Sequence, residues 1–134
     1  MIQGHPNFQR LYVSRLAPRA GFTVVNKIVR VARHHNPGHG ITGALLFDGE
    51  RFCQLIEGPR AQVDALMERI QADTRHTALL TLHSGESLGS RQPTRWVSGY
   101  CEAVELEPFE RDPGLRGHAA LDAFLRVLQG ADVE

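Results

Sequence analysis

Two primary amides sit where packing alone would place hydrocarbon. Gln54 lies in Phe52-Cys53-Gln54-Leu55-Ile56-Glu57-Gly58, and in a strand over 51–57 it shares a face with Phe52 and Ile56, the bulky apolar residues of that run. A carboxamide buried there without partners costs on the order of 1 to 3 kcal/mol, so a protein group or a polar, planar ligand must satisfy it. Asn36 opens the second stretch, Asn36-Pro37-Gly38-His39-Gly40-Ile41-Thr42-Gly43. Taken alone, an asparagine before Pro-Gly is a plain helix terminator.

Other chemistry is weaker. Arg69 and Asp73 stand four apart, the spacing of an ordinary helical ion pair. His34, His35 and His39 are separated by a Pro-Gly break and have no carboxylate or cysteine beside them, so they are solvated loop histidines and no metal is expected. Gly85 to Ser90 is glycine-rich but lacks the lysine and strand-to-helix context of a phosphate loop. Cys53 faces away from Gln54 by strand alternation and is core rather than nucleophile, and a hydrolase on this scaffold would lack both nucleophile and anion loop.

The elements that must position these residues follow from periodicity. Leu11-Tyr12-Val13-Ser14 forms a first strand. Val25, Ile28, Val29 and Ala32 then make one apolar helix face, with Asn26, Lys27, Arg30 and Arg33 opposite, and the helix ends at Asn36-Pro37-Gly38. Strands 41–47 and 51–57 flank an Asp48-Gly49 hairpin turn; if those two residues alone form the turn, Gly43 stands opposite Gln54. A second helix carries Val63, Leu66, Met67 and Ile70 and closes at Asp73-Thr74-Arg75-His76. Residues 77–83 form a fourth strand, Ser84 to Pro93 a loop, and Arg95 to Cys101 a fifth strand.

This βαββαββ order is an α+β, ferredoxin-like sandwich with two helices on one sheet face. After the Pro113-Gly114 break, Leu121, Phe124, Leu125 and Leu128 make a further stripe, which either covers the other sheet face or forms a homo-oligomer. Residues 1–102 thus form the main body and 103–134 a helical cap.

Composition excludes whole classes. The 134 residues suit one domain, and 15 Lys plus Arg against 15 Asp plus Glu argues against binding nucleic acid through counterion release. No apolar run approaches a membrane span, and Met1 to Pro6 has no leader character, so a cytoplasmic protein is expected. Cys53 and Cys101 are too few for a disulfide framework.

From about Leu11 to Tyr100 the chain resembles a BLUF domain, the flavin-binding blue-light sensor family. The resemblance is carried in order by Tyr12-Val13-Ser14, His35-Asn36, Gly40-Ile41-Thr42-Gly43, Phe52 to Gly58, Asp73-Thr74-Arg75-His76 and Trp96. It implies that FAD binds noncovalently between the helices, with Tyr12 bonded to Gln54 and Gln54 reaching the flavin. Asn36 would hold one flavin edge, Arg69 and Asp73 the opposite one, and Ile28, Leu45 and Phe52 would wall the ring. His35, Ser14, Arg75 and His76 would complete the surroundings.

The implied activity is sensing, not catalysis. Blue light makes bound FAD an oxidant, an electron and a proton leave Tyr12 and return, and the Gln54 amide ends with its hydrogen bonds rearranged. Output would pass through the sheet beside Trp96, to an unidentified downstream protein acting in trans. Two departures bear on that relay: Ser98 stands where the family commonly has methionine, and Pro93 near a usual aromatic position. The alternative is a ferredoxin-like interaction module that has lost flavin or photocycle.

Overall fold

The computed structural model describes residues 7–87 and 91–134. The start of the chain, Met1 to Pro6, and the middle of the Ser84 to Pro93 segment lie outside them. Strands β1 (Asn7–Leu16), β2 (Thr42–Phe47), β3 (Arg51–Pro59), β4 (His76–Ser87), β5 (Trp96–Tyr100) and β6 (Asp132–Val133) form one sheet in the order β4-β1-β3-β2-β5-β6. All pairings are antiparallel except β2 with β5, as the ferredoxin-like βαββαββ order requires.

Alternation along the central strands divides the interior into two cores. On one face Tyr12, Leu45, Phe52, Ile56 and Trp96 pack with Val25 of α1 (Phe22–Gly38) and Val63, Leu66 and Met67 of α2 (Arg60–Ala72). On the other, Leu11, Val13, Leu46, Cys53 and Leu55 pack with Leu106 and Phe109 of α3 (Ala103–Arg111) and Ala120 and Phe124 of α4 (His118–Gly130). The tail therefore covers the second sheet face. It also contributes a helix and an edge strand that periodicity does not reveal. Among the described residues no helix is long and apolar enough to cross a membrane.

The hairpin register and the extent of β4 differ from expectation, each for a local reason. The hairpin register places Leu45, not Gly43, opposite Gln54. Asp48 Oδ1 accepts the N–H groups of Glu50 (2.8 Å) and Arg51 (2.6 Å), which widens the turn beyond Asp48-Gly49. Gly43 instead faces Ile56 at φ 137°, where a Cβ would lie 1.9 Å from the Leu55 carbonyl oxygen, so only glycine fits. Helix α1 ends at Gly38, within the expected Asn36-Pro37-Gly38 stretch, and the carbonyls of Asn36 and Pro37 accept the N–H groups of His39, Gly40 and Ile41; His34 and His35 lie within the helix and are not loop residues. Strand β4 continues through Ser84 to Ser87, held by pairing with Asn7 to Arg10 of β1.

Candidate functional site

Between α1, α2 and the sheet lies a cavity of about 450 Å³, within the usual size of small-molecule sites. Its walls include Tyr12 from β1, Leu45 from β2, Phe52 and Gln54 from β3, Ile28, His35 and Asn36 from α1, Arg69 from α2, and Asp73, Arg75 and His76 beyond it. Eleven positions expected from the sequence are thus brought together there. Ser14, Trp96 and Ser98 do not line it.

At the floor, Tyr12 donates its phenolic hydrogen to Gln54 Oε1 at 2.7 Å. The pairing follows from register, since the two residues are direct cross-strand neighbours on the same sheet face. Burial, with smaller contributions from Cys53 and Asp73, holds the phenol well above its ordinary pKa, so it stays protonated. With its carbonyl oxygen so engaged, Gln54 presents an amide to the cavity wall.

Asn36, 1 % exposed, has a buried Nδ2 without a partner. Its orientation is set by a relay. Arg69 Nη1 donates to His35 Nε2, which leaves the hydrogen of the neutral ring on Nδ1, 3.2 Å from Asn36 Oδ1. The carbonyl end of the amide is thereby used, and the amino end is left for a ligand. Arg69 consequently does not form the ion pair with Asp73 that their spacing suggests. Asp73 is gripped instead by Arg75, whose hydrogen bonds, the closest at 2.6 Å, hold the carboxyl below its usual pKa.

His76 Nε2 donates to the Ile70 carbonyl at 2.6 Å, and its Nδ1 is hydrogen-bonded to the Ser14 hydroxyl at 2.8 Å. Ser14 acts on the site through His76 rather than as a wall. Trp96 is 7 % exposed in the core beside the cavity, with its indole N–H buried and unpartnered. Val31, Ala32, Leu66, Ile70 and Ala72 also line the cavity. Helical period could have supplied Ala32, Leu66 and Ile70, whose stripe faces the sheet; nothing in the sequence distinguished Val31 or Ala72.

An apolar slot with an unpartnered amide donor at one side fits a planar ring whose edge carries carbonyl oxygens and ring nitrogens. The isoalloxazine of a flavin has that form, and the residues present fit it.

Comparison with known proteins agrees. Residues 8–99 match the family described as BLUF, sensors of blue light using FAD. The chain is 33 % identical over 107 residues to the blue light- and temperature-regulated antirepressor BluF of Escherichia coli, covering 79 % of this chain and 25 % of that protein. It is also 33 % identical over 86 residues to the photoactivated adenylate cyclase subunit beta of Euglena gracilis, covering 64 % of this chain and 10 % of that one. The chain thus spans a quarter or less of the curated relatives it matches. Among solved structures, the dark state of BlrB, a BLUF protein, superposes with a TM-score of 0.77 at 26 % identity, over 94 % of this chain and 97 % of that one. The matched family senses blue light using FAD. The chain belongs to the BLUF family of blue-light sensors.

Proposed function

We propose that this protein is a cytoplasmic blue-light photoreceptor that holds FAD noncovalently in the cavity, uses Tyr12 and Gln54 as its photoactive pair, and signals in trans to a partner protein. In this reading residues 1–102 are the photosensory part and 103–134 the cap. The observation that carries it is the 2.7 Å hydrogen bond between Tyr12 and Gln54 in the wall of a cavity that also holds the unpartnered Asn36 amide.

A flavin held there would supply a one-electron acceptor on excitation by blue light, and Tyr12 would be its donor. In darkness its buried phenol keeps its proton; once an electron has left the ring, the phenolic hydrogen becomes strongly acidic, and its hydrogen bond to Gln54 Oε1 offers an exit. The Gln54 carboxamide, carrying donor and acceptor in one planar group, can exchange their positions by rotation or tautomerisation. When electron and proton have returned to Tyr12, the phenol is restored and Gln54 keeps its second arrangement. Asn36 anchors one edge, while Ile28, Leu45 and Phe52 exclude water and fix the plane. Arg69, Asp73, Arg75, His35 and His76 hold the rim.

The test is Gln54→Leu. The variant should remain yellow, release FAD on denaturation and show no light-induced red shift; an unchanged photocycle would remove Gln54 from the mechanism. A protein without flavin would gain nothing from an open slot lined by a buried, unsatisfied amide, which weighs against the interaction-module alternative.

A further inference from the structure

A row of cross-strand neighbours runs from the photoactive pair to the edge of the sheet. Tyr12 stands opposite Gln54, Gln54 opposite Leu45, and Leu45 opposite Ser98. Ser98 in turn is bonded on both backbone groups to Glu134, its N–H donating to the Glu134 carbonyl at 3.1 Å and its carbonyl accepting the Glu134 N–H at 2.8 Å. Leu45 also lines the cavity. Ser98 lines a second cavity of about 350 Å³ with Asn26, Arg30 and Arg33 of α1 and Asp132 and Glu134 of the tail. Its hydroxyl is buried and unpartnered.

The strand at the end of this row is weakly held. The tail meets β5 over three residues: Val133 opposite Gly99, Asp132 opposite Tyr100, and the Glu134 bonds to Ser98. Val133 packs on the second core, and Glu134 meets Arg33 at 2.9 Å in an ion pair whose side chains are 48 % and 78 % exposed, a class that contributes little. What β6 covers is the outer edge of β5, whose N–H and C=O groups would otherwise be open to an added strand. Gly99 is shaped for close approach: a Cβ there would lie 2.1 Å from the Asp132 carbonyl oxygen. The covering segment is Asp132-Val133-Glu134, acidic-apolar-acidic, beside Arg30 and Arg33. The chain thereby displays, in its own sequence, the kind of segment this edge accepts.

We propose that β6 is a displaceable strand over a docking edge: light-driven rearrangement at Gln54, passed through Leu45 to Ser98, loosens the Ser98–Glu134 pair, and β5 then takes an extended acidic-apolar-acidic segment of a partner protein by strand addition. The proposal rests on the photoreceptor reading above and names the surface through which that signal leaves.

Two measurements on the full chain test it, each in darkness and under blue light with the absorbance recorded in parallel. Amide exchange at Ser98 and Glu134 should accelerate at least tenfold under light while the β1–β3 amides keep their protection. A labelled Gly-Ala-Asp-Val-Glu peptide, copying residues 130–134, should bind at least tenfold more tightly to the illuminated protein, and Gly-Ala-Lys-Val-Lys should not bind. Gly99→Ala, whose added methyl collides with any strand in that place, should keep the red shift but lose peptide binding and the dark protection of Ser98. A normal red shift with unchanged exchange at Ser98 and Glu134, or with equal peptide binding in both states, overturns the proposal and leaves the photoreceptor reading intact. No red shift overturns both. Light-induced dimerisation without peptide binding assigns the edge to a second copy and overturns the partner occupant.

Discussion

Asn36 shows how much the orientation of a single side chain depends on its neighbours. The Arg69–His35–Asn36 relay lies across two helices and decides which end of the amide faces the cavity. Asn36→Ala removes one ligand hydrogen bond and should weaken flavin binding about three- to tenfold. His35→Ala should weaken it less, since it frees the amide to rotate without removing it. Titration of the unfolded-and-reconstituted proteins with FAD, followed by fluorescence quenching, measures both; equal affinity in Asn36→Ala and wild type would exclude Asn36 as a flavin contact. The sequence exposed the members of this relay but not their partners. Spacing along α2 paired Arg69 with Asp73, whereas the fold brings His35 within reach of one and Arg75 of the other. Helical spacing describes only neighbours on the same helix, so a partner supplied by the other helix was invisible to it.

Among the elements, α3 is tied to β1 and β3 by a carboxylate at its end. Glu110 accepts from Arg15 of β1 at 2.6 and 2.7 Å and from Arg51 of β3 at 2.9 Å. These bonds, Arg15's foremost, pull the Glu110 carboxyl from 4.5 down to about 2. Because the folded-state pKa is depressed, the stabilisation is complete above the unfolded value near 4.5 and is lost as pH falls toward 2. Glu110→Gln should therefore unfold at lower urea than wild type at neutral pH, and the gap between their midpoints should close across that acidic window. A gap independent of pH would mean that Glu110 acts by packing alone. Helix α3 was missed in the sequence because its buried residues are only Leu106 and Phe109, on either side of an internal Pro108, a residue that normally marks a break. The capping box between Glu102 and Glu105 was the available signal for its start. The hairpin was legible, but its register was not, because the Asp48 carboxylate rather than the Asp-Gly pair determines where the strands begin to pair.

At the scale of the whole molecule, one sheet separates a core that holds the cavity from a core sealed by the tail. The alternation of β3 sufficed to put Gln54 on the face of Phe52 and Ile56, whereas its pairing with Tyr12 was implied by the family resemblance and is set by the β1–β3 register. β6 escaped notice since two residues carry no pattern, and its place comes from the exposed edge of β5 and the small size of Gly99. Tyr12, Gln54, Leu45 and Ser98 stand on one row of cross-strand neighbours between the cavity and the edge of the sheet.

Whether Tyr12 and Gln54 serve a flavin held between the helices is read from the absorbance spectrum of the purified protein in darkness and under blue light. A flavin band should move to longer wavelength on illumination and return in darkness. Colourless protein that cannot be reconstituted with FAD, or a bound flavin whose band does not shift reversibly, would rule out the photoreceptor.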